Sequence, residues 1–289
     1  MIASRALILT RFPFRFSARH FLFAGLLLLA GTFAAQAGTD RGKLMAFLQV
    51  TGFDKAIEGL QDGAVAGPGL AGDDPNDFGQ DWVRLAREIF DKPGMIEQAL
   101  DMMEAVMPDD LVDHGAAFYA SDLGQRLVAA ENESIATPDD EKYAMGEELV
   151  SDMIASNPER LEMFRQMTDA IGGIDQSVRS VIEIQVRYLL AAMAAGSSDL
   201  DMSEADLRAM LAEQADQIAQ NVAIYGILGS AYTYRNFTDA ELKEYLNALQ
   251  DPKMQQVYEI LNAIQFEVMA DRYEKLAASL AGLQRQTDL

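Results

Sequence analysis

His114 is the residue with the clearest chemical potential. It follows Asp110 by four positions in a helical stretch, so the two share a face. A carboxylate-oriented imidazole is the usual form of a general base. The same spacing also makes a plain surface ion pair, and no strand-turn-helix serine motif accompanies this histidine. The ion pair is the expected reading. His20 is the other histidine of the chain.

Paired carboxylates are the next source of chemistry. Asp109-Asp110, Asp139-Asp140 and Glu147-Glu148 could flank a glycosidic bond of peptidoglycan. Acids near helix starts are expected anyway, because they complement the helix dipole. Among 45 acidic residues such pairs carry little information. The acidic stretches Asp73-Asp74-Pro75-Asn76-Asp77 and Asp199 to Glu204 suggest calcium, but neither has the EF-hand order of acids, turn glycine and terminal glutamate. Met102, Met103 and Met107, or Met163 and Met167, offer thioethers suited to Cu(I). Their spacing is that of core packing, where methionine fills gaps. No catalytic residue, metal ligand or cofactor site is therefore expected, and the chain leans away from being an enzyme.

Compartment is the most legible property. Arg5, Arg11, Arg15 and Arg19 precede an apolar run from Phe21 to Phe33, and Ala35-Gln36-Ala37 follows. This is the n-region, h-region and small-residue cleavage site of a secretory leader, cut after Ala37. The run is shorter than the roughly 20 apolar residues that a bilayer span needs. The expected location is the periplasm of a Gram-negative bacterium. Cleavage removes four arginines and no acid, leaving 252 residues with 19 basic against 45 acidic side chains, a formal charge of −26. Such a surface repels phosphate backbones and anionic lipid, which excludes nucleic acid as a sensible partner. The chain has no cysteine, so packing alone must hold it.

The elements that must position these residues are helical throughout. Leu44, Phe47, Leu48, Ile57 and Leu60 give an apolar stripe near the 3.6 period. The stretch from Gly63 to Gly79 breaks it, and Asp77 with Gln80 has the spacing of a capping box. Helices are predicted over 95–106, 109–120, 122–133 and 138–156, the last capped by Thr137 with Pro138 at its first position. The second part predicts helices over 158–171 and 176–195, one long helix from Ser203 to about Tyr234, and a final one from Asp251-Pro252 to about Leu280. Thr238 and Glu241 form a capping box inside a Phe237–Leu242 staple. No run of strands appears. The fold class is all-α, with no transmembrane segment after the leader.

Two matches at constant offset suggest a duplication. Leu44, Phe47, Gln49, Thr51 and Ile57 recur as Leu161, Phe164, Gln166, Thr168 and Ile174. Met107, Asp109, Val112, Tyr119 and Gln125 recur as Phe237, Asp239, Leu242, Leu249 and Gln255. The expected layout is a leader over 1–37 and two related helical-bundle halves, 38–156 and 157–289.

Two constellations remain as binding or structural sites. Phe118 and Tyr119 end one predicted helix, Ser121 caps the next, and Gly124 lets two backbones approach, making a tight corner. Tyr225, Gly226, Gly229, Tyr232 and Tyr234 combine aromatic and small residues, as a buried central helix or a hydrophobic groove would. The segment Phe118 to Gln125, led by Asp109-Asp110-Leu111, resembles the signature of the exported bacterial family called domain of unknown function 2059. Asp122 stands where that family usually carries proline. The resemblance covers the first half well and the second poorly, where Ala248-Leu249 replaces the Phe-Tyr pair. It implies an exported helical module and assigns no catalytic residues.

The expected function is a non-catalytic interaction or assembly module of the cell envelope, acting on an envelope protein. The alternative is a carrier of a hydrophobic small molecule or lipid in a helical groove around Tyr225 to Tyr234.

Overall fold

Several helices begin or end for a reason readable in their caps. The computed structural model describes residues 39–66, 75–196 and 200–287. The proposed leader, the loop acids Asp73 and Asp74, and Asp199 lie outside the described residues. Asp40 opens α1 (Arg41–Thr51) by accepting from the Lys43 amide, and Gly52, at φ 73°, ends it. That left-handed step suits glycine and separates α1 from α2 (Phe53–Ala66). Next come α3 (Pro75–Ile89) and α4 (Lys92–Val106), the latter capped by Asp91 with a proline in its first turn. Helices α5 (Asp109–Tyr119), α6 (Asp122–Ala136) and α7 (Asp139–Ser156) follow. The chain continues through α8 (Pro158–Ala170), α9 (Gly173–Ala195), α10 (Glu204–Ala212) and α11 (Ala215–Thr233), and finishes with α12 (Asp239–Leu249) and α13 (Pro252–Thr287). Among the described residues there is no strand, and the fold is all-α.

Several boundaries differ from the sequence reading. The stripe read across 44–60 is two helices, divided at Gly52. Helix α3 already runs at Pro75, ahead of the expected cap at Asp77. Thr137 does not cap α7, which begins without a side-chain cap. Its hydroxyl donates to Glu133 O at 2.8 Å and meets the Tyr232 hydroxyl at 3.1 Å. The expected helix from Ser203 to Tyr234 is broken at Glu213-Gln214, and Ser203 caps only α10. The Thr238–Glu241 capping box is present as expected.

Residues 37–289 form one compact unit around a continuous core. Phe47, Trp82, Phe90 and Phe164 are fully buried, each contributing roughly 1.5–3 kcal/mol of transfer free energy or more. Helix α13 is the spine. Met254, Val257, Leu261, Ile264 and Val268 are buried at alternating steps of three and four, the spacing that keeps one stripe against its neighbours. It lies against α9 and also against α3, α4 and α5. Arg272 of α13 pins the α3–α4 junction, donating to Ile89 O at 2.9 Å and Asp91 Oδ1 at 3.0 Å.

Contacts within α1–α6 and within α8–α13 run partly in parallel. Helix α1 packs on α2, α4 and α5, while α8 packs on α9, α11 and α12. The pairs α2–α3, α2–α4, α2–α6 and α5–α6 have counterparts in α9–α10, α9–α11, α9–α13 and α12–α13. Crossing between the two sets, α6 packs on α11 and α13 on α4. Details recur too. Thr51 donates to Phe47 O at 2.9 Å and Thr168 to Phe164 O at 3.1 Å. Lys43 pairs with Asp109 at 3.3 Å and Arg160 with Asp239 at 2.6 Å. Ser121 accepts from Gly124 N at 3.1 Å, and Asp251 from Met254 N at 3.3 Å. Helix α7 belongs to neither pattern and lies along α11.

Candidate functional site

Helix α11 divides lengthwise into two environments. Its last turns bury Leu228, Ala231, Tyr232 and Thr233. Its middle leaves Ile224 56% and Tyr225 50% exposed, which is unusual for side chains of this size. Helix α7 approaches α11 closely at Gly146, where an added Cβ would sit 2.5 Å from Leu228 O. That contact requires glycine. It seats the Tyr143 ring against Tyr225, centroids 4.8 Å apart and tilted by 53°.

The two helices frame a shallow groove of about 750 Å³, lined by Asp139, Asp140, Tyr143 and Glu147 from α7 and by Asn221, Val222 and Tyr225 from α11. Burial pushes the Tyr143 hydroxyl above its ordinary value, with Asp139 adding to the effect and Lys142 opposing it. Lys142 pairs with Asp139 at 2.6 Å, and its ammonium lies 4.9 Å from the centre of the Tyr143 ring. Asp140 and Glu147 make no hydrogen bond or ion pair among the described residues. The arrangement has no nucleophile paired with a base. It offers aromatic faces and negative charge to a ligand.

A second set of tyrosines meets inside the protein. Glu131 of α6 accepts from the Tyr234 hydroxyl at 2.8 Å and the Tyr245 hydroxyl at 2.9 Å, both on the same oxygen. The Tyr119 hydroxyl lies 3.3 Å from that of Tyr245 and also bonds the Tyr258 hydroxyl. Phe118 stacks on Tyr245, centroids 5.8 Å apart and nearly parallel. Burial raises the Glu131 carboxyl above the usual range, opposed by its two hydroxyl donors. Burial, reinforced by the Glu131 charge, pushes Tyr258 up to about 12. This cluster joins α5, α6, α12, α13 and the end of α11, and its hydroxyls are turned toward one another.

The expected sites are therefore rearranged. Phe118, Tyr119, Ser121 and Gly124 do form the α5–α6 corner. Ser121 caps α6, and a Cβ on Gly124 would lie 2.4 Å from Phe118 O. Tyr225, Gly226, Gly229, Tyr232 and Tyr234 do not line one groove. Tyr232 is buried, and Tyr234 joins Tyr119 at the Glu131 cluster. Gly226 faces open space, and a Cβ added at Gly229 would lie 3.9 Å from the Tyr143 ring, an ordinary contact. The close helix approach expected of them belongs to Gly146. Sequence reasoning also missed Glu131, Tyr143, Tyr245 and Tyr258, whose roles depend on partners far along the chain.

His114 pairs with Asp251 at 3.0 Å, not with Asp110, which instead holds Lys253 at 2.9 Å. Met103, Met107 and Met167 are buried in the core. Among the described residues no group of three or more metal-ligating side chains is present, and no helix is long and apolar enough to cross a membrane. No protein-family model, curated protein or solved structure significantly matches the chain.

Proposed function

We propose that this protein is a non-catalytic interaction module of the bacterial cell envelope, exported through its arginine-led leader, and that it docks a partner protein on the α7–α11 face. One observation carries the reading: Ile224 and Tyr225 stay exposed on a helix whose next turns are core, and Tyr225 lies beside Asp140 and Glu147, which form no ion pair among the described residues. Aromatic residues at the centre of a patch with a polar rim are the usual anatomy of a recognition surface. The groove is open along both helices, which suits a peptide segment better than an enclosed lipid chain. The recurring helix pairs support the further reading that the scaffold is two related halves, with α7 as the segment between them.

The test is site-specific photo-cross-linking in cells. A cross-linking amino acid at position 225 should capture a discrete envelope protein, while the same probe at Glu244, an exposed position on α12, should not. Equal labelling from both positions, or none from 225, would overturn the docking face.

A further inference from the structure

Helix α7 already seats one cation of its own beside the α7–α11 groove. Lys142 lies with its ammonium 2.6 Å from Asp139 and 4.9 Å from the Tyr143 ring centre, and only 13% of its side chain is exposed. An alkylammonium is thus seated between a carboxylate and an aromatic face, the two components of a cation–π site. The groove itself repeats those components, and its Asp140 and Glu147 form no ion pair with a basic side chain among the described residues. Asp140 and Glu147 each lie one turn from Tyr143, on either side of it along α7, and the half-exposed Tyr225 ring faces that stripe from α11. Val222 adds apolar surface beside it.

We propose that this second seat takes a lysine or arginine side chain from a partner segment that also carries apolar residues, with the cation held between Tyr225 and the carboxylates of Asp140 and Glu147. The idea rests on the docking face proposed above and names its occupant. Charge complementarity sets the choice. The chain carries a formal charge of −22, so it repels anionic headgroups, nucleic acid and acidic peptides alike. A basic segment gains from the general field and from the local seat. A purely apolar segment would leave Asp140 and Glu147 facing it without compensation.

The experiment titrates the protein lacking its leader with an amphipathic synthetic peptide of lysine and leucine, followed by fluorescence anisotropy at physiological ionic strength. A peptide with glutamate replacing lysine, and one with serine replacing lysine, serve as comparisons. The lysine peptide should bind, and the other two should not. Asp140→Asn with Glu147→Gln should weaken binding about tenfold, and Tyr225→Ala about fivefold. A charge-matched control, Glu159→Gln with Glu244→Gln, removes two unpartnered acids elsewhere and should change binding by less than about twofold, since distant charges are screened. Melting curves confirm that each variant is folded. If the control weakens binding as much as the groove pair, the effect is bulk charge and the proposal falls. It falls equally if the serine peptide binds as well as the lysine peptide. Cross-linking from position 225 without a lysine preference would leave the docking face standing and remove only its occupant. A groove-dependent lysine preference without cross-linking in cells would do the reverse.

Discussion

The Glu131 cluster and the α7–α11 groove are built from the same residue types, tyrosine and carboxylate, and behave as opposites. Around Glu131, hydroxyls from α5, α12, α13 and the end of α11 are turned inward and bonded to one another or to the carboxylate. In the groove, the Tyr143–Tyr225 pair lies at the edge of the molecule, with Asp140 and Glu147 beside it and unneutralised. Composition therefore does not separate cement from recognition. What separates them is whether each polar atom already has a partner. Hydroxyls bonded within the cluster stabilise the fold, and acids without a bonded partner are available to something else.

Substitutions can break this contrast from either side. The largest effect is expected from Tyr245→Ala, which removes a buried ring stacked on Phe118 and one of the two donors to Glu131. It should destabilise the protein by about 3–5 kcal/mol in urea unfolding. A loss near zero would mean that the cluster does not hold the helices together. Gly146→Ala acts on the groove without touching the cluster. Its methyl would meet the Leu228 carbonyl and force α7 outward, costing about 1–3 kcal/mol and loosening the Tyr143–Tyr225 contact. The midpoint of urea unfolding and the tyrosine near-ultraviolet signal both report on this.

Glu131→Gln sharpens the comparison through pH. The folded carboxyl is raised above its ordinary value of 4.5, so the folded state holds the proton more tightly than the unfolded chain. Stability from this residue is therefore complete below about 4.5 and declines as pH climbs through the folded value. The glutamine variant should lack that decline, so wild type minus variant stability should fall as pH rises from about 4.5. Melting temperatures across mildly acidic buffers measure it, and parallel curves would show that Glu131 does not feel its surroundings. The smallest effect on stability is expected from Tyr225→Ala, within about 0.5 kcal/mol, because half the ring is already in water. A large loss there would make the groove part of the scaffold.

Local signals were read well, and partners distant in sequence were not. The capping box at Thr238 and the α5–α6 corner depend on residues within a few positions of one another, and both are present, while Phe237 and Leu242 are both buried. His114 was assigned to Asp110 by helical spacing, whereas its partner is Asp251, brought in by the start of α13. Thr137 has the chemistry of a cap, but Glu133 and Tyr232 hold its hydroxyl. The stretch around Glu213-Gln214 contains neither glycine nor proline, so nothing local announces the break there. It coincides with α10 turning Leu207 and Leu211 onto Val186 of α9 in a small separate cluster. Gly146 carried a weak sign, a lone glycine inside a helical pattern. Which helix it would admit depended on the tertiary arrangement.

The position of α13 has a consequence for how the polypeptide comes together. Its buried stripe touches α3, α4 and α5 from early in the chain as well as α9 from later. Closure at such long sequence separation is slow, so the early helices gain the last wall of their core only after the tail of the chain has been made.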